Sequence, residues 1–434
     1  MGQADTSNAR KTIAAVDLQR SIYVNGMMGQ QPIVPIDFAK LEVSAQAKLS
    51  KESFAYIAGG AGMERTIAAN RSAFDAWQIV PSMLRDVSQR DMGIELFGQK
   101  LPTPFLTCPI GVLEIAHKAA DIAVAKATAS LHIPMIFSNQ ASVAMEDCAA
   151  VMGDSPRWFQ LYWSKSNELV QSLVQRAEQC GCSAIVVTLD TTLLGWRTRD
   201  LDLAYLPFLK AMGIAQYLSD PVFMQLLQEA KVEETIAIKP KINLTTIRNL
   251  ITTVNNYPGK GFFKKLRSGK PMAAVRQFIN IHSRPSLAWE DLSFLRDCTS
   301  LPILLKGILH PADAQKAVSV GMNGIIVSNH GGRQVDGAIG AFQALPGVVA
   351  AVDGKIPVLL DSGIRSGADT FKALALGAKA VCIGRPYVYG LALAGQAGVE
   401  AVLKNFIADF ELTMRLVGCQ KISEITKEML AKAN

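Results

Sequence analysis

His330 and Arg333 stand three residues apart in the run Ser328-Asn329-His330-Gly331-Gly332-Arg333-Gln334. An imidazole can take a proton near neutral pH, and a guanidinium offers paired N–H donors to a planar carboxylate. The glycines between them let backbone approach a ligand closely. The run follows the apolar stretch Gly324-Ile325-Ile326-Val327, so it reads as a buried strand breaking into a loop. A tight surface turn uses the same residue types. The pair therefore takes its meaning from what the rest of the chain places beside it.

Eight short β-prone runs alternate with helix-like segments. They are 104–107, 134–137, 158–161, 184–187, 302–305, 324–327, 357–360 and 380–383. Their near-continuous apolarity marks strands buried on both faces, as in a parallel sheet. Segments 167–181, 311–321 and 367–377 between them have helical spacing and end on glycine. Eight β/α units predict an α/β fold, a (β/α)8 TIM barrel. A doubly wound dinucleotide fold is disfavoured, because no GxGxxG follows the first strand.

Polar residues gather where these runs end. In order they are Cys108 with Pro109, Ile110 and Gly111; Ser138; Gln160 with Tyr162; and Thr188 with Asp190. Lys306, His330 with Arg333, Asp361 with Gly363 and Arg365, and Gly384 with Arg385 complete the set. A barrel builds its site at the C-terminal ends of its strands, and eight convergent polar ends favour such a site. The Gly- and Arg-containing turns after the seventh and eighth runs sit where barrels usually bind phosphate. His117, His132, His282 and His310 fall outside this constellation. No HxH or HExxH spacing points to a metal.

With 434 residues, 49% of them hydrophobic and 19% charged, the chain has ample material for a core. Seven scattered cysteines, no signal-peptide pattern and no membrane-length apolar run suggest a reducing, cytoplasmic setting. The net charge of +7 is concentrated: between Ile236 and Arg284 there are ten Lys and Arg residues and no Asp or Glu. That concentration argues against a general nucleic-acid surface. The basic stretch belongs to an insertion, 201–285, between the fourth and fifth strands. It is expected to act as an active-site lid. The alternatives are a solvated loop that packs between subunits and, as the minority case, a lipid contact through Phe262, Phe263 and Phe278. Residues 1–35 read as an arm lying on a neighbour or on the barrel's outside.

With these residues in place, the chain resembles the FMN-dependent α-hydroxy acid oxidising family. The segments that carry the resemblance are Ser328–Gln334, Phe159–Tyr162, Leu189–Thr191, Leu305–Gly307 and Asp361–Arg365, in family order across roughly 36–430. Within the family it is most similar to the lactate 2-monooxygenase type, through Tyr56–Gly60, Pro109–Val112, Gly195–Leu201 and the long insertion. Many members carry Ala at Gly111 and Gly at Ser362, and an Arg where this chain has Trp196.

The resemblance implies FMN as cofactor, a homo-oligomer (commonly a tetramer), and roles for matching residues. His330 is the implied base, Asp190 its partner, and Arg197 with Arg333 the carboxylate clamp. Tyr56 and Tyr162 bond the substrate, and Lys306 stands at the flavin's pyrimidine end. Pro109, Ile110, Gly111, Ser138, Gln160, Thr188 and Ser328 border the flavin. Asp361 faces the ribityl chain, with Gly363, Arg365, Gly384 and Arg385 around the phosphate. The implied reaction oxidises a small L-2-hydroxy acid, with L-lactate expected, and uses O2 to give acetate, CO2 and water. A simple oxidase releasing H2O2, a dehydrogenase with another acceptor, and a silent flavin- or phosphate-binding barrel are the alternatives. Hydride and carbanion routes both remain open.

Overall fold

The computed structural model describes residues 14–229 and 243–433. Each of the eight runs forms a strand: β1 (Phe105–Thr107), β2 (Met135–Phe137), β3 (Arg157–Leu161), β4 (Ile185–Thr188), β5 (Ile303–Ile308), β6 (Gly324–Val327), β7 (Val358–Leu360) and β8 (Ala380–Ile383). All neighbours are parallel, and β8 closes on β1 with Val381 opposite Phe105. The runs lack polar alternation because both strand faces are covered. Leu106, Ile136, Trp158, Val186, Leu304 and Ile326 fill the barrel lumen. Phe105, Phe137, Phe159, Val187, Leu305 and Val327 pack outward into the main core. Burying one such side chain stabilises by roughly 1.5–3 kcal/mol.

A hairpin of Ile94–Leu96 and Gln99–Leu101 packs against the lumen cluster through its buried Ile94, Leu96 and Leu101. Phe97 at its turn lies 5.7 Å from the Trp158 ring. This hairpin lies outside the eight-run pattern of the sequence. The outer helices begin and end on local signals. Ser166 caps Asn167–Gln179 by accepting from Leu169 N, and Ser366 caps Gly367–Ala375 by accepting from Asp369 N.

The N-terminal arm forms helix Ala15–Met27, which lies on the long final helix Arg385–Val417. Ala15 N donates to Glu411 Oε2 at 3.1 Å, and the fully buried Glu411 also pairs with Arg90 at 3.1 Å and Arg415 at 3.4 Å. Glu411→Ala should therefore destabilise the protein by about 3 kcal/mol, since it removes the buried carboxylate that Arg90 and Arg415 share and unties the arm. Chemical denaturation of the variant and wild type measures this.

The insertion enters between β4 and β5. Helices Leu244–Asn256 and Lys270–Ile281 turn Val254, Ala274, Val275 and Phe278 inward, while Arg248, Lys260, Lys264 and Arg276 face solvent. The basicity is thus the outer face of a packed unit; Lys239 and Lys241 lie outside the described residues. Phe278 does not join a lipid-facing patch. It is fully buried against Phe208 and Tyr217, whereas Phe263 is exposed. Among the described residues no helix is long and apolar enough to cross a membrane.

Candidate active site

The strand ends converge on one cavity of about 400 Å³ at the C-terminal mouth of the barrel. His330, Arg333, Arg197, Tyr56, Tyr162 and Lys306 share its wall. Pro109, Ile110, Gly111, Thr188, Asp361, Gly363, Arg365, Gly384 and Arg385 do so as well. Asp190, Ser138, Gln160 and Ser328 are not part of that wall, and the last three are buried.

His330 follows β6 with φ +58°, a left-handed conformation that non-glycine residues rarely adopt. Its backbone N–H donates to Ser328 Oγ at 3.0 Å, and Gly331 N donates to Ser362 Oγ at 3.0 Å. These bonds hold the strained turn in place. His330 Nδ1 is 2.9 Å from Asp190 Oδ1, from the end of β4. Thr191 Oγ1 donates to the same oxygen at 3.0 Å. Burial lowers the His330 pKa below the ordinary imidazole value, although Asp190 opposes the shift. Asp190 is buried too, but its neighbours His330 and Lys306 more than offset that cost and keep it ionised. The resting pair is therefore a neutral imidazole donating Nδ1–H to a carboxylate, with Nε2 free to accept a proton.

Arg333 and Arg197 flank the Tyr56 ring, their guanidinium carbons 5.0 and 5.9 Å from its centroid. Arg333 Nη1 donates to the carbonyls of Tyr56 at 2.5 Å and Gly59 at 3.1 Å. Arg197 Nη2 donates to Gln334 Oε1 at 3.2 Å. Burial and the nearby Arg197 lower the Arg333 pKa to about 9. Two crowded guanidiniums of this kind favour an anion between them. Tyr162, pushed up to about 12 by burial, stays a phenol that can donate.

Lys306 ends inside the barrel, where its Nζ lies 2.9 Å from Asp361 Oδ2 and donates to Ser328 Oγ at 3.0 Å. Burial works against its charge, but Asp361 and Asp190 outweigh it and raise the pKa, so Lys306 stays a cation. The next residue must be glycine. Gly307 has φ +109°, and a side chain there would meet Asp190 Cβ at 2.9 Å. This close approach lets the β5 and β4 ends sit side by side.

Several buried polar atoms have no partner within the described chain: Gln160 Nε2, Thr188 Oγ1 and Arg365 Nε among them. Buried polar groups are normally satisfied, so these atoms fit a ligand with ring carbonyls at one end and an anion at the other. Arg365 stacks on the Phe38 ring at 4.3 Å, and among the described residues its one side-chain hydrogen bond runs to the Ile364 carbonyl at 2.8 Å, which leaves donors for an anion. Arg385 borders the same region, yet its guanidinium ties together the carbonyls of Ile57, Gly59 and Gly331 at 2.9–3.0 Å. A flavin mononucleotide carries both kinds of group, ring carbonyls at one end and a phosphate at the other.

Three contributors were not among the residues singled out from the sequence. His282, placed outside the constellation by sequence, lines the cavity from the insertion, stacked on Phe278 with centroids 4.7 Å apart. No short-range pattern marks it, because helix Lys270–Ile281 must first fold over the barrel. Gln334 donates to the carbonyls of Asp190 at 2.6 Å and Leu193 at 2.9 Å, joining the loops that carry His330, Asp190 and Arg197. Asn139 Oδ1 accepts from Tyr162 N at 2.9 Å. The last two lie within or beside the recognised segments, which was the available signal.

Comparison with known proteins agrees with this geometry. An FMN-dependent dehydrogenase family model matches residues 45–432. An L-lactate oxidase of Lysinibacillus sphaericus is 40% identical over 411 residues, covering 95% of this chain and 96% of the relative. The 2-hydroxyacid oxidase 1 of Homo sapiens is 36% identical over 391 residues, covering 90% and 95%. A crystal structure of mandelate oxidase superposes with a TM-score of 0.72 at 32% identity, covering 92% of this chain and 99% of that one. A match that spans the whole barrel makes this chain a member of the FMN-dependent dehydrogenase family, with FMN as its cofactor.

Proposed function

We propose that the protein oxidises a small L-2-hydroxy acid, with L-lactate as substrate, and that O2 takes the electrons. One observation carries the reading: a neutral imidazole backed by a carboxylate faces the same cavity as two guanidiniums. A 2-hydroxy acid needs that pairing, with its carboxylate on the cations and its carbinol carbon beside the base. Relatives named L-lactate oxidase and 2-hydroxyacid oxidase support the substrate class.

FMN, when bound, supplies the two-electron acceptor that O2 later reoxidises. Gln160, Thr188 and Ser138 would hold its ring edge, Lys306 its pyrimidine end, Asp361 the ribityl chain, and Gly363, Gly384 and Arg365 the phosphate. Arg333 and Arg197 bind and orient the substrate carboxylate, and the Tyr56 and Tyr162 hydroxyls bond its oxygens. His330 Nε2 then receives a proton from the substrate, and Asp190 stabilises the imidazolium that results. The Lys306 ammonium offsets negative charge that builds near it as electrons leave the substrate.

We further propose that the 2-oxo acid stays in place while O2 is reduced. Lactate and O2 then give pyruvate and H2O2 within the cavity, and these react to acetate, CO2 and water. Two features support retention. Leu206, Phe208, Phe278 and His282 from the insertion form part of the cavity wall. Gly111 brings the first loop against the second: a Cβ there would meet Gln140 O at 2.8 Å. The competing reading, release of pyruvate and H2O2, is favoured by the name of the lactate oxidase relative.

Aerobic incubation with L-lactate separates the two. Acetate and CO2 in step with O2 uptake support retention; stoichiometric pyruvate and H2O2 without acetate would sink it. Phe278→Ala should then raise the released share of pyruvate and H2O2 severalfold, because it removes the ring that packs helix Lys270–Ile281 onto Phe208 and Tyr217 within the cover. An unchanged product ratio would count against the insertion as a lid.

A further inference from the structure

Cys108, which follows β1, has no part in the steps above. It is 6% exposed and borders the cavity, and its Sγ lies 2.7 Å from Asp361 Oδ1. The other oxygen of that carboxylate accepts from Ser328 Oγ at 2.6 Å and pairs with Lys306 Nζ at 2.9 Å. One carboxylate is thus divided between a thiol on Oδ1 and a cation on Oδ2. Burial, the adjacent Cys382 thiol and the Asp361 charge all push the Cys108 pKa up. The sulfur therefore keeps its proton and meets Asp361 as a donor, not as a reactive thiolate.

We propose that Cys108 is a positioning residue that tunes the reduction potential of the bound flavin, by drawing Asp361 charge away from Lys306. This inference rests on the placement of Lys306 at the flavin's pyrimidine end. A cation there favours the reduced, more negative flavin. Asp361 opposes that effect to the degree that its charge is spent on Lys306. A donor on Oδ1 competes for the same charge and leaves more of the lysine's field for the flavin. Without the S–H, Oδ1 loses its donor from the protein, and the carboxylate turns further onto Lys306. The flavin then becomes harder to reduce.

Midpoint potentials of the FMN-loaded full-length protein test this without reference to turnover. Cys108→Val keeps nearly the side-chain volume and removes the donor. It should lower the potential by about 30 mV, a tenfold shift in the two-electron equilibrium. Cys108→Ser restores a donor and should stay at the wild-type value, as should Cys148→Val, a buried cysteine far from the network. Cys108→Ala removes the same donor and serves if the valine variant does not fold. An unchanged potential in the variants lacking a donor overturns the proposal. So does a serine variant that falls as far as valine, since packing would then be the cause. Lys306→Met keeps the two levels apart. If it lowers the potential while Cys108→Val does not, only the role of Cys108 fails; if it too has no effect, the placement of Lys306 fails first.

Discussion

His330→Gln is expected to lower kcat by roughly 10²–10⁴-fold, the usual worth of a positioned general base, while the protein keeps its FMN. Glutamine can preserve the hydrogen bond to Asp190 but cannot take a proton. Stopped-flow reduction under anaerobic conditions isolates the step, and a variant reduced at the wild-type rate would remove His330 from the chemistry. The pH profile adds a sign. The base must be neutral, so kcat/KM falls as pH drops through the His330 pKa in the free enzyme. Burial sets that pKa below the ordinary value, so the acid limb should be centred below about 6.5. Asp190→Asn removes the charge that pulls the other way. The limb should move to still lower pH while kcat falls, because the imidazolium loses its counter-ion. A misfolded variant would lose rate without that displacement.

How much of this was legible in the sequence depended on the range of the interaction. The eight strands were readable because burial on both faces leaves a local signature: runs such as Gly324–Val327 carry no polar alternation at all. The strand ends were readable only together: one polar end is an ordinary turn, whereas eight of them converge on the same mouth of a barrel. The hairpin Ile94–Leu101 was not, because its short strands carry Glu95, Gln99 and Lys100 among their apolar residues and so lack the unbroken apolarity of a barrel strand. Contacts across the chain were beyond any spacing rule. His330 and Asp190 are 140 residues apart, and Cys108 and Asp361 are 253 apart. The first pair was reachable only through family resemblance, and the second not at all. His282 was discounted because its role needs the insertion folded back over the barrel. Gly111 stands out in the sequence as a departure from a common alanine. Its cause is a property of two packed loops, since the Gln140 carbonyl oxygen would lie 2.8 Å from any Cβ at that position.

Arg333→Met should cut kcat/KM for L-lactate by about 10²–10⁴-fold, the cost of about 3–5 kcal/mol for removing one partner of a buried charge pair. Much of that loss belongs to the substrate carboxylate, so it should not extend to a neutral analogue. The ratio of kcat/KM for L-lactate to that for L-lactamide should collapse in the variant. A ratio that stays at the wild-type value would mean Arg333 acts only by holding the Tyr56 and Gly59 carbonyls. Arg333→Lys should recover little, because a point charge cannot serve those carbonyls and a planar carboxylate together.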